Sequence, residues 1–115
     1  MKKSESYTTE LKVNLFQGSK PLLESMYLEF KELAKKKPDA PINKNKIKIV
    51  NRLLERLHTI LVDEDTIEFL DVLDEDDVPQ TSDVTLILSQ YVAAMKSFKD
   101  KYHVFNGISH IWNTK

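Results

Sequence analysis

Apolar side chains recur at helical spacing along most of this chain. Leu22, Leu23, Met26, Tyr27, Phe30, Leu33 and Ala34 fill an arc of about 140° when residues are placed roughly 100° apart. Gly18-Ser19-Lys20-Pro21 precedes them. Ser19 can cap, and Pro21 suits a first turn, where its missing N–H is no loss. The pattern predicts a helix from there to Lys37, with Pro38 and Pro41 marking the exit loop. Ile47, Val50, Leu54, Leu57 and Leu61, flanked by Ile49, Leu53 and Ile60, predict a second helix to about Val62, capped by Asn43 or Asn45. Asp63-Glu64-Asp65 breaks it and opens a third, short helix through Ile67, Leu70 and Leu73, since acids suit a helix N-terminus. Pro79 sits in a loop. Thr81 or Ser82 then caps a last long helix, whose stripe runs through Val84, Ile87, Leu88, Tyr91, Met95, Phe98 and Tyr102. Asn106-Gly107 is read as its stop.

Several amphipathic faces must be buried together, so the expectation is an all-α four-helix bundle. Residues 1–17 form a flexible or short helical N-terminal segment, with residues 1–8 loose. Residues 18–115 form one bundle domain. The tail carries Ile108, Ile111 and Trp112 and is expected to pack back on the bundle. Only 2 Gly and 4 Pro among 115 residues agree with long helices and few tight turns.

Composition narrows the chemistry. With no cysteine, thiol catalysis, iron–sulfur ligation and thiolate zinc are excluded, and a reducing compartment is favoured. The N-terminus MKKSESYTTE lacks the apolar core of a secretory signal. No apolar run approaches the roughly 20 residues of a membrane span. A cytoplasmic protein with no membrane partner is expected. No motif implies a cofactor: there is no Gly-rich phosphate loop and no helical histidine pair, and Glu68 stands where a calcium loop begun at Asp63 needs glycine.

Net charge is −1, yet the charges are segregated. The first 56 residues hold 13 Lys and Arg against 7 acids, and the remaining 59 hold 4 against 11. Lys44, Lys48, Arg52 and Arg56 are spaced by four, so they climb one side of the second helix, with Lys35, Lys36, Lys37 and Lys46 nearby. Residues 63–77 contain nine acids in fifteen positions, and Glu68, Asp71, Asp74 and Glu75 share an outward face on the expected short helix. Opposite patches of this kind steer association and choose a partner. A protein-binding module, regulatory or adaptor in role, is therefore the leading expectation. Its contacts would be Lys44, Lys48, Arg52 and Arg56 on one side and Glu68, Asp71, Asp74 and Glu75 on the other. Trp112 either plugs the bundle end or anchors an interface. Mating of the two patches between copies would give a homo-oligomer, and the basic stripe alone could bind nucleic acid.

Two motifs resemble those of known all-helical enzymes. Arg52 and His58 form R-x5-H, which loosely resembles the arginine–histidine motif of the HEPN ribonucleases, with Leu53 where that family usually has a polar residue. Glu29-x-x-Glu32 and Glu68-x-x-Asp71 resemble the paired carboxylates of the all-α nucleotide pyrophosphohydrolases. That resemblance implies magnesium held by four carboxylates from two helices and hydrolysis of a nucleoside triphosphate, although a whole helix here separates the two motifs.

Overall fold

The computed structural model describes residues 6–115. Among them, three α-helices carry the fold: α1 (Glu10–Lys36), α2 (Lys44–Leu61) and α3 (Thr81–Tyr102). A small antiparallel hairpin follows, β1 (His103–Phe105) paired with β2 (His110–Trp112). The molecule is elongated, 50 × 26 × 24 Å, because the 27 residues of α1 extend for about 40 Å. Packing is most extensive between α1 and α3, then between α1 and α2.

The first helix starts earlier than expected. Thr9 is its N-cap, accepting from the Lys12 N–H at 3.2 Å. Helix then runs unbroken through Gly18 and Pro21, so the expected start at Ser19 lies inside α1. Val13, Phe16, Ser19 and Leu23 are buried at spacings of three and four, and this continuous inner face carries the helix across the proline. Pro21 itself is exposed. Residues 1–5 of the segment expected to be loose lie outside the described residues. Residues 6–8 run beside the other chain end: the Thr8 N–H donates to Asn113 O, and the Lys115 N–H donates to Thr8 O.

Helix α2 agrees closely with its sequence pattern. Asn43 caps it, accepting from the Lys46 N–H at 2.9 Å, and Ile47, Leu54, Leu57 and Leu61 are fully buried. The Pro38–Pro41 loop docks on the start of α3, with Ile42 N–H to Pro79 O and Thr81 N–H to Ala40 O both at 2.9 Å. The cap of α3 is Gln80 rather than Thr81 or Ser82. Its N–H donates to the Asp83 carboxylate, while Thr81 is buried with its hydroxyl on Ala40 O.

The short acidic helix expected between α2 and α3 is not an α-helix. Residues Asp65–Phe69 and Glu75–Asp77 form two separate 3₁₀ turns. Nine acids in fifteen positions repel at the three- and four-residue spacings an α-helix would enforce. Better bonds exist elsewhere. The Asn51 side chain clamps Leu73, accepting its N–H and donating to its C=O, both at 2.8 Å. Leu70 and Leu73 thereby enter the core beside α2. Tyr91, on α3, donates to the Asp71 carbonyl at 2.8 Å and bonds His58 Nε2 at 2.7 Å. Burial, with the Asp71 charge adding, holds the Tyr91 phenol well above its ordinary value.

Helix α3 ends at Tyr102, not at Asn106-Gly107. That dipeptide makes the hairpin turn instead: Gly107 has φ 98°, and Asn106 Oδ1 accepts from the Ile108 and Ser109 N–H groups. The hairpin folds back as expected of the tail. Trp112 packs edge-on to Phe16 at 5.1 Å and beside Phe98 at 6.0 Å. His103 lies against Trp112 and stacks on His110, 5.8 Å between ring centres. Desolvation, then the charges of Lys99 and His110, lowers the His103 pKa. A base depressed in the folded state takes up its proton later than the unfolded chain does. Its contribution to stability is therefore present above the ordinary histidine value of about 6.5 and is lost as pH falls. We expect the wild-type melting midpoint to fall between pH 7.5 and pH 5 by more than that of His103→Gln, measured side by side by Trp112 fluorescence. Equal falls would contradict this.

Candidate functional site

The basic series on α2 does not occupy one face. Four residues turn the helix by about 400°, so each step along the series rotates it by about 40°. From Lys44 to Arg56 the rotation reaches about 120°. The structure shows the consequence. Lys44 lies on the flank facing the acidic segment, with its Nζ 3.7 Å from Asp76 Oδ1. Both groups are well exposed, so this pair contributes little. Lys48 is exposed, and Arg52 and Arg56 have rotated to the opposite flank, towards α1.

On that flank α1 and α2 enclose an open groove of about 740 Å³. Leu15, Met26, Phe30 and Leu33 from α1 and Val50 and Leu53 from α2 line its floor. The apolar lining reaches the surface: Leu22 is 61% exposed and Ile49 55%. Along the α2 rim stand Lys46, Arg52 and Arg56, and Glu29 stands on the α1 side. Among the described residues none of these four charged groups makes an ion pair. The groove thus combines exposed apolar surface with unmatched positive charge.

The apolar arc of α1 is broad for a helix whose neighbours cover only part of it. Leu22, Met26, Phe30 and Leu33 read in the sequence as core, yet Leu22 is exposed and the other three are only half-buried. Arc width was the available signal. What the sequence withheld was which side would stay open, because that depends on the acidic segment not forming a fourth helix and not covering this face.

The other expected contact residues disperse. Glu68 and Asp71 are exposed, and Asp74 accepts the Asp76 N–H at 2.9 Å, capping its own turn. Glu75 is half-buried. These acids lie on the flank of α2 away from the groove, beside Phe69, Val72 and Val78, all exposed. Trp112 spends its ring on Phe16, Phe98 and His103, which is the bundle-end plug rather than a free anchor.

The two enzyme-like motifs are not assembled. Glu32 pairs with Lys35 at 3.1 Å, Glu29 faces the groove, and Glu68 and Asp71 belong to the acidic segment. Among the described residues no three histidines, aspartates or glutamates come together in a metal-ligating group. Arg52 lines the groove, whereas His58 is held on the other flank by Tyr91. A second cleft, about 160 Å³, lies between residues 7–12, Asp63-Glu64 and Lys115. Most of its charges are matched: Lys12 bonds Asp63 at 2.6 Å, and the buried Glu64 accepts from Tyr102 at 2.9 Å and pairs with Lys101 at 3.4 Å, while the Lys115 ammonium lies 6.0 Å from the Tyr7 ring centre. The Tyr102 hydroxyl, then the Glu64 charge, raises the Lys101 pKa above its ordinary value.

No helix among the described residues is long and apolar enough to cross a membrane. No protein-family model, curated protein or solved structure matches the chain.

Proposed function

We propose that this chain is a protein-interaction module, adaptor or regulatory in role, that docks its partner on the α1–α2 groove. The observation that carries the reading is the groove itself: an apolar floor open to solvent beneath Lys46, Arg52 and Arg56, none of them ion-paired within the described residues. Exposed apolar area rimmed by polar groups is the usual mark of an interaction site. Unmatched charge on its edge sets which partner is drawn in and how fast. The three cations replace the four-residue stripe as the basic contact set. Lys44 stands on the other flank and Lys48 between the two, which weakens a reading of the whole stripe as one nucleic-acid track.

The test uses the tagged full chain and a clarified lysate of its source cells. A stoichiometric protein partner is expected from the wild type. Arg52→Glu with Arg56→Glu should recover it at least tenfold less well with an unchanged melting temperature, since both side chains are exposed. Retention of nucleic acid in place of protein, or capture indifferent to the double reversal, would refute the reading.

A further inference from the structure

We infer that the occupant of the groove is an acidic amphipathic α-helix from a partner protein, laid along α1 and α2 and passing closest to α1 over Gly18. This rests on the protein-docking reading above and specifies its partner.

Gly18 is the telling residue. It lies inside a 27-residue helix, has no positive φ, and forms no turn. Glycine there costs backbone entropy that alanine would not. Nothing within the described residues requires it, because a Cβ built on Gly18 meets no atom within 4 Å. The space above it is open and belongs to the groove. A bare backbone is useful there if a second backbone is to approach closely. Ser25, two turns further along α1, is a second small residue in the lining.

Length and charge point to a helix with acids on its flank. The lining of α1 runs from Asn14 to Leu33, about 28 Å, and that of α2 from Lys46 to Arg56, about 15 Å, at 1.5 Å per residue. A helix of three to five turns matches that span, and two helices with apolar faces turned to one side form the seat into which a further helix packs. Arg52 and Arg56 stand one turn apart, so acids spaced by four on the incoming helix reach both, with a third acid meeting Lys46. On the α1 side Glu29 disfavours a helix acidic on both flanks, so the acids lie on the flank turned towards α2. The floor would accept an acyl chain as well, but one carboxylate leaves two of the three cations unmatched.

The probe is a fluorescein-labelled 18-residue synthetic helix with leucine at its inward positions and glutamate along one flank, and its partner control carries lysine at the glutamate positions. Anisotropy is read against the intact chain. The glutamate peptide is expected to bind at least tenfold tighter than the lysine peptide, and Arg52→Glu with Arg56→Glu should invert the preference. Gly18→Ala should raise the melting temperature by about 2–5 °C through helix propensity and weaken the peptide severalfold. Gly18→Leu should fold and weaken it tenfold or more. Absent or charge-blind binding, or a Gly18→Leu chain that binds as the wild type does, overturns the inference. So does sedimentation showing a dimer that Gly18→Leu dissociates, or dodecanoate displacing the peptide at stoichiometric amounts. If the peptide fails while partner capture persists and depends on Arg52 and Arg56, the helical occupant falls and the docking module stands. Loss of capture retires both.

Discussion

Replacing Phe98 with alanine is expected to cost about 3–5 kcal/mol, the range for a fully buried phenylalanine, which for a domain of this size lowers the melting temperature by roughly 10–20 °C. The reason lies in where Phe98 sits. It is 1% exposed. Its ring stacks on Phe16 of α1 at 5.4 Å, tilts against Tyr102 at 4.9 Å and meets Trp112 of the hairpin at 6.0 Å. One side chain thus joins α1, α3 and the returning C-terminal segment. Its removal leaves a hole in a cluster of rigid rings that have no easy way to collapse, and aromatic pairing energy is lost with the area. Leu86→Ala, on an exposed position of the same helix, should change stability by about 0.5 kcal/mol or less. Thermal melts of the two variants check this directly. Similar losses in both would mean that α3 does not pack as described.

Asn51→Asp is expected to destabilise the chain by roughly 3 kcal/mol, more than Asn51→Ala at about 1–3 kcal/mol. The native amide both accepts from and donates to Leu73, holding an otherwise extended strand of backbone against α2. Alanine deletes both bonds and leaves two part-buried backbone groups unmatched. Aspartate keeps the acceptor, turns the donor into a negative oxygen facing the Leu73 carbonyl, and adds a tenth charge beside nine acids. Amide exchange should show Leu73 losing protection first and to the greatest extent, with the core amides of α1 losing no more than the fall in global stability. Leu73 protection retained while the core loses its own, or a milder effect of aspartate than of alanine, would show that Asn51 does not fasten this segment.

These two residues mark what the sequence made legible and what it did not. Phe98 lies on a stripe whose helical period is plain, and the same period located α2 and most of α1 and α3. Asn43 and the Pro38–Pro41 exit were readable because caps and prolines act locally. Asn51 was silent. A single polar residue on a charged helix carries no mark that its amide will serve as backbone for Leu73, and without that clamp in view Ile67, Leu70 and Leu73 read as a further short helix. Gly18 and Pro21 read as a boundary because both are breakers in isolation. The continuous inner face of Val13, Phe16, Ser19 and Leu23 outweighed them. Asn106-Gly107 accepts left-handed geometry in a helix stop and in a hairpin turn alike, and only the pairing of His103–Phe105 with His110–Trp112 decided between them.

The candidate site was half legible. Spacing by four found Arg52 and Arg56 but also grouped them with Lys44 and Lys48, because a series spaced by four looks like one face over two turns and precesses away over four. Lys46 falls outside that spacing. The exposed Leu22 and Ile49 carry no mark that sets them apart from the core, since an apolar residue at helical spacing is indistinguishable from a buried one until the number of packing neighbours is known.

The most direct measurement of the central claim, that the α1–α2 groove is the docking face, is a two-dimensional amide NMR titration of the isotope-labelled chain with the unlabelled glutamate-flanked helix. Shift changes should trace residues 14–33 of α1 and 46–56 of α2, with Gly18 among the largest, and leave the hairpin at 103–112 and the acidic segment at 65–77 in place. Changes centred on the acidic segment or the hairpin, with the groove amides unmoved, would contradict it.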